Sequence, residues 1–317
     1  MTVHPPARPG SASGPGEFRV PPGELRVPPG EFRVPPGELR VSPGELRVSP
    51  GESRVLDRSD GPGFAVAVSP HLDDAVFSAG GTLAALGAAG WRVRVVTCFT
   101  ASVADPSPFA LSTQLDKGLS ADVDYMALRR DEDRAALAVL AAPAGRVEPV
   151  HLPLPEAPHR GYTSAPDLFA GRHADDDVAA PLAAALAPHL EGADLVLAPQ
   201  AIGDHVDHRA VVEVVAGLAP DALFWRDAPY VLRRPDAPPW HAVPAGREHP
   251  VPIAPHLDTK AGAARCYTTQ LGFQFGGADR VAGDLTDLAR AEARRVGTSV
   301  PCEVLRGPAP VPLASRC

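Results

Sequence analysis

Four short strand-like runs, the first apolar and Val-rich, alternate with helical stretches and limit what this chain can fold into more than any other feature. They are FAVAVSP (Phe64–Pro70), WRVRVVTCF (Trp91–Phe99), VEPVHLPL (Val147–Leu154) and ADLVLAP (Ala193–Pro199). Continuous apolar runs of this length fit strands buried on both faces, the habit of parallel sheets. Helical patterns occupy Ala75–Gly90, Asp122–Ala142, Asp175–Leu190 and Arg209–Leu218. Strands alternating with helices predict an α/β fold with a doubly wound, Rossmann-like, mostly parallel sheet. Ligands bind such sheets beyond the carboxyl ends of the strands, at the topological switch point. Thr100–Leu119 and Glu156–Phe169 read as loops, and the length of the first suits a functional role.

The folded domain is expected over residues 61–317. Residues 1–60 are of another kind: from Pro15 to Leu56 the unit PGExRVx occurs six times. A seven-residue period suggests a coiled coil, but Pro-Gly in every unit forbids a continuous helix. One Glu and one Arg per unit leave the segment locally neutral. Pro-rich sequence with little to bury reads as an extended or disordered arm. A passive tail is the plainer reading and a multivalent docking arm the sharper one.

A net charge of −8 and a pI near 5.8 give no electrostatic case for nucleic acid. No apolar run is long enough to insert into a bilayer, and the N-terminus shows no basic segment followed by an apolar one, so a cytoplasmic protein is expected. Cys98, Cys266, Cys302 and Cys317 lack CxxC spacing, which argues against a disulfide framework or a Cys-type zinc finger.

The chemistry is concentrated at two strand ends. SPHLDD follows the first run and carries His71, Asp73 and Asp74; GDHVDH follows the fourth and carries His205, Asp207 and His208. Titratable groups at the end of an apolar run are costly to bury unless paired, hydrogen-bonded or bound to metal. Taken singly, the first motif fits a helix N-cap through Asp73 or Asp74, and the second a surface histidine pair. Together they hold what a hydrolytic metal site needs: two histidines and a carboxylate as ligands, and an open position for water. They also hold a spare carboxylate as base, a spare histidine for acid or oxyanion duty, and a carboxylate to fix that histidine.

His71-Leu72-Asp73-Asp74 with Gly80-Gly81, followed by His205-Val206-Asp207-His208, resembles the PIG-L (LmbE-like) de-N-acetylases. RRDEDRAALAVL (Arg129–Leu140) is similar to that family's Arg-x-x-Glu helix, and KAGAARCYTTQ (Lys260–Gln270) to its late Lys…Tyr-x-x-Gln segment. The resemblance covers roughly Phe64–Gly272. It implies a zinc hydrolase that removes acetyl groups from N-acetylglucosaminyl-type small-molecule substrates. It implies zinc on His71, Asp74 and His208, with Asp73 as general base. His205 would be the acid or oxyanion stabiliser, with Asp207 orienting it, and Arg129 would contact substrate hydroxyls or product acetate. A His-Asp-His site accepts Zn2+ or Fe2+. The chain departs from the family pattern at Leu72, where Pro is common, and at Ala75, where Glu is common.

Competing functions are an amidase of a thiol conjugate, a metal phosphoesterase and a non-catalytic sugar-binding module. The phosphoesterase lacks visible carboxylates for a second ion, and the sugar-binding module has no use for Asp73. His151, His159, His173, His189, His241 and His249 show no partner in sequence; His159 lies in a loop from which it can approach a cleft. Asp258 reads as the N-cap of the helix containing Lys260, Cys98 as a buried strand residue, and Trp225, Arg226 and Tyr230 as pocket edges.

Overall fold

The computed structural model describes residues 62–142 and 145–313. The repeat arm expected over residues 1–60 lies outside the described residues. Seven strands form one sheet: β1 (Phe64–Ser69), β2 (Arg92–Thr97), β3 (Val147–His151), β4 (Leu195–Pro199), β5 (Leu223–Trp225), β6 (Arg247–Pro252) and β7 (Cys302–Gly307), in the order β3-β2-β1-β4-β5-β7-β6. The first five are parallel, and β7 runs antiparallel between β5 and β6. The expected doubly wound, mostly parallel sheet is what the chain forms. The order reverses between β1 and β4, so the switch point lies where the two charged motifs leave the sheet. Both edge strands carry proline, Pro149 in β3 and Pro250 and Pro252 in β6. Proline has no N–H to offer a further strand, so it belongs at an edge.

The helices are α1 (Asp74–Ala88), α2 (Pro108–Leu115), α3 (Tyr125–Ala141), α4 (Ala179–Leu190), α5 (Val206–Leu218), α6 (Tyr230–Arg233), α7 (Leu257–Ala264), α8 (Thr268–Phe275) and α9 (Ala278–Arg295). β1 shows why the sheet is covered on both faces. Phe64, Val66 and Val68 enter a core completed by Leu182 and Leu186 of α4 and Val211 and Val215 of α5. Ala65 and Ala67 enter the opposite core, with Leu83 of α1, Leu137 of α3 and Ala263 of α7. Period-2 alternation delivers consecutive side chains to opposite layers.

Several expectations shift. Thr100–Leu119 is not all loop: it contains α2, with Ser107 Oγ accepting from the Ala110 N–H at 3.2 Å and proline at the first helical position. Asp73 holds the N-cap position of α1 but makes no capping bond, and Ser69 Oγ accepts from the Ala75 N–H at 3.0 Å instead. α5 begins at Val206, not Arg209, which puts Asp207 and His208 on its first turn. Asp258 lies inside α7, whose N-cap position is His256.

A second group of buried charges lies under α1. Glu303 of β7 accepts from the backbone N–H of Gly81 (2.9 Å) and Thr82 (2.7 Å), from Thr82 Oγ1 (2.6 Å) and from Lys260 Nζ (2.7 Å). Lys260 is 2% exposed and Glu303 5%. Gly81 lets this join close: a Cβ there would stand 2.8 Å from Ile253.

Candidate metal and catalytic site

The turns after β1 and β4 bring His71, Asp73, Asp74, His205, Asp207 and His208 into one cluster. Asp74 Oδ2 stands 3.2 Å from His71 Nδ1 and 3.2 Å from His208 Nε2. Donor atoms of His71, Asp74 and His208 all lie within 4.8 Å of one another. Each histidine is held from behind by a carboxylate. His71 Nε2 is 2.9 Å from Asp207 Oδ2, and His208 Nδ1 is 2.9 Å from Asp227 Oδ1. With the outer nitrogens donating to these carboxylates, the inner nitrogens, once deprotonated, turn lone pairs toward Asp74, the habit of carboxylate-backed metal ligands.

His208 Nε2 supports a cation on structural grounds. It is buried and has no hydrogen-bond partner; Asp74 Oδ2 is near enough for an ion pair but off the direction of a hydrogen bond. A buried polar atom left in this state is costly, and a divalent cation among two imidazoles and a carboxylate satisfies it. A second trio, His71, His205 and Asp207, also clusters, but it shares His71. Asp207 is moreover taken up by Arg160 Nη2 at 2.7 Å and the Ala157 N–H at 3.1 Å.

Three non-glycine residues among those described have positive φ: Asp73 (145°), Ala201 (54°) and Asp204 (71°). All three lie in the turns after β1 and β4. Such conformations cost of the order of 1–3 kcal/mol each and persist where the surroundings impose them. Gly203 (φ 101°) belongs to the same turn, and a Cβ there would fall 2.3 Å from Tyr230 Cδ1.

Burial and the neighbouring Asp74 anion push the Asp73 carboxyl up to about 8, against the pull of Arg129 and His71. Burial also opposes ionisation of Asp74, but His208 and His71 outweigh it and hold this carboxyl well below the usual range. Two adjacent carboxyl groups are thus split into a proton holder and a permanent anion. His208 is raised to about 9: burial works against the charge, but Asp74 and Asp227 prevail. Burial lowers His205 to about 3, so its imidazole is neutral. Its Nδ1 accepts from the Asp207 N–H at 3.2 Å, which leaves the proton on Nε2.

The expectation that Asp207 orients His205 needs revising. The Asp207 carboxylate serves His71, Arg160 and the Ala157 N–H, and only its backbone N–H touches His205. The adjacent arginines Arg129 and Arg130 turn to different partners. Arg129 is buried beside the site, pairing with Glu156 at 2.6 Å, donating to Leu72 O at 3.1 Å and standing 3.8 Å from Asp73. Arg130 points instead to Thr100 O and Ser102.

The cluster opens into a cleft of about 710 Å³ that also takes in Arg129, Glu156 and Tyr230. His159 lines a neighbouring 380 Å³ chamber instead. Trp225 is core, and Arg226 pairs with Glu292 on the far side. His151 and His173 do have partners, Asp133 and Asp167, each at 2.8 Å. Asp227, Glu156 and Arg160 were not visible as site residues in the sequence. Asp227 follows β5, the neighbour of β4, whereas Glu156 and Arg160 follow the edge strand β3.

A family profile described as PIG-L, GlcNAc-PI de-N-acetylase, matches residues 66–219. The chain is 35% identical over 178 residues to 2'-N-acetylparomamine deacetylase from Streptomyces fradiae; the match covers 54% of this chain and spans 59% of that relative's length. Among solved structures, the zinc-inhibited form of teicoplanin deacetylase Orf2 is similar with a TM-score of 0.65 and 26% identity, over 77% of this chain and 97% of that one. The A40926 pseudoaglycone deacetylase Dbv21 gives 0.64 and 28%, over 77% and 96%.

Proposed function

From the match of residues 66–219 to the PIG-L family profile, we propose that the protein is a zinc-dependent hydrolase removing the N-acetyl group from an amino sugar of small-molecule biosynthesis. The observation that carries the reading is the pairing of Asp73 and Asp74. One is held protonatable beside the cleft, and the other is held anionic between two carboxylate-backed histidines. The similarity to 2'-N-acetylparomamine deacetylase, teicoplanin deacetylase and A40926 pseudoaglycone deacetylase supports the same reaction class.

His71 Nδ1, Asp74 Oδ2 and His208 Nε2 are the atoms we assign to the cation. A bound zinc ion supplies Lewis acidity and lowers the pKa of water. Asp73, in its ionised form, takes the proton of the attacking water as the C–O bond forms. Nε2–H of the neutral His205 donates to the developing oxyanion, a role that needs no imidazolium. Asp73 then returns the proton to the amide nitrogen as the C–N bond breaks, giving free amine and acetate. Arg129, braced by Glu156 and Leu72 O, presents its remaining donors to sugar hydroxyls or the acetate.

The test is amine release from N-acetylated amino sugars and their glycosides by zinc-loaded protein, with Asp73→Asn as control. Release by the wild type and not by the variant, at equal zinc content, is the expected result. A variant that keeps both its metal and full turnover refutes the role of Asp73.

A further inference from the structure

The cleft walls have a chemistry of their own. Outside the histidine–aspartate cluster, the charged groups lining it are Asp116, Lys117, Arg129 and Glu156, two of each sign. Arg129 and Glu156 already neutralise one another at 2.6 Å. What the outer walls offer instead is aromatic surface: Phe109, Tyr125, Phe169 and Phe273. Phe273 is 72% exposed and Phe169 40%. α8 buries Leu271 and Phe275 in the core, so Phe273 is not needed by the fold.

This wall is rigidly built. Glu132 accepts from Thr268 Oγ1 (2.5 Å), the Thr269 N–H (2.9 Å) and Thr269 Oγ1 (2.7 Å), fixing the start of α8. Gln270 Nε2 donates to the Tyr125 hydroxyl at 2.7 Å, joining α8 to α3 across the cleft floor. Lys117 Nζ lies 5.2 Å from the Tyr125 ring and 6.0 Å from the Phe273 ring. Four aromatic rings gathered along one cleft beside a reaction centre, Phe109, Tyr125, Phe169 and Phe273, point to a ligand contact.

Resting on the N-deacetylase reading, we propose that Phe273, with Tyr125 and Phe169, forms a subsite for an apolar, ring-bearing aglycone, so that the substrate is an aryl glycoside of an N-acetylated amino sugar. A cleft of about 710 Å³ falls in the range of drug-sized ligands rather than single sugars. Its balanced outer charge gives a polycationic aglycone no net attraction, whereas aromatic faces reward a planar ring.

The experiment compares kcat/KM for 4-methylumbelliferyl and methyl glycosides of N-acetylglucosamine and for 2'-N-acetylparomamine, using wild type, Phe273→Ala and Leu218→Ala. Leu218 is 41% exposed at the end of α5 and serves as a surface control. The aryl glycoside should lead, and Phe273→Ala should cut the aryl-to-methyl ratio about tenfold, through KM rather than kcat. Leu218→Ala should leave the ratio unchanged. Equal rates for aryl and methyl glycosides, a preference for the paromamine substrate, or an unchanged ratio in Phe273→Ala overturns the subsite. Equilibrium binding of 4-methylumbelliferyl glucosaminide, measured by fluorescence polarisation, separates this proposal from the reaction itself. Phe273-dependent binding without turnover of any substrate would refute the deacetylase and sustain the subsite. Binding indifferent to Phe273 would refute the subsite alone.

Discussion

The protein buries two groups of opposite charges, and they are built to opposite ends. Under α1, Glu303 accepts two backbone amides, a hydroxyl and the Lys260 ammonium. Every element around it has ordinary backbone geometry. At the switch point, His208 Nε2 has no hydrogen-bond partner, two carboxyl groups stand side by side, and three non-glycine residues of the two turns adopt positive φ. The first group joins β7 and α7 to α1. The second concentrates cost where a cation and a substrate can relieve it. Satisfied polar networks hold a fold, whereas unsatisfied ones point to chemistry.

The sharpest way to break this contrast is at Asp73. Asp73→Asn should lower turnover by about 10²–10⁴ while the metal-free protein stays at least as stable as wild type in urea, since a crowded carboxyl is gone. A large loss of stability would make Asp73 a structural residue. Glu303→Ala should do the reverse. Stranding Lys260 should cost about 3–5 kcal/mol in urea unfolding, with turnover per folded molecule retained. Loss of turnover without loss of stability would dissolve the distinction between the groups.

A smaller effect is expected at the border of the site. Arg160→Met frees the Asp207 carboxylate from its guanidinium partner and loosens the support of His71. Zinc affinity, read by chelator competition, should fall by about 10–100-fold. An unchanged affinity would confine Arg160 to holding its loop through Asp176, at 3.0 Å. The mildest effect is a slope with pH. His208 has a folded-state pKa raised from 6.5 to about 9, so its contribution is complete below about pH 6.5 and lost as pH rises through 9. Asp73, raised from 3.8 to about 8, adds a loss that begins near pH 3.8 and is complete near 8. Metal-free stability should therefore decline over pH 6.5–9, by about 1.4 kcal/mol per pH unit for each proton released. With saturating zinc the decline should shrink or reverse, because the cation replaces the protons. Parallel slopes with and without zinc would remove His208 from the cation site.

The sequence was most legible where the sheet is buried on both faces. β1 and β4 announce themselves as Val- and Leu-rich runs, and the two charged motifs follow them directly. β6 and β7 were not legible. REHPVP is broken by two prolines, and a strand paired antiparallel at the sheet's edge need not be continuously apolar. The site's central residues were readable because they come as motifs. Asp227, the support of His208, stands alone two residues after β5, and no spacing rule isolates a single aspartate. Asp207 was visible, but not its partner. From a helix's first turn its side chain and its N–H point to different histidines, and only coordinates separate the two.

The order in which the strands lie side by side also decides when the proposed cation site can first assemble. His71 and Asp207 meet across 136 residues of chain, because β1 waits for β4 while two other strands and four helices are made. On a ribosome adding about 5–20 residues per second, that is roughly 7–27 s during which the first motif exists without its partners. On the proposed assignment, metal capture is a late event in the life of each molecule. Zinc added to growing chains should be retained only by those extended well past His208.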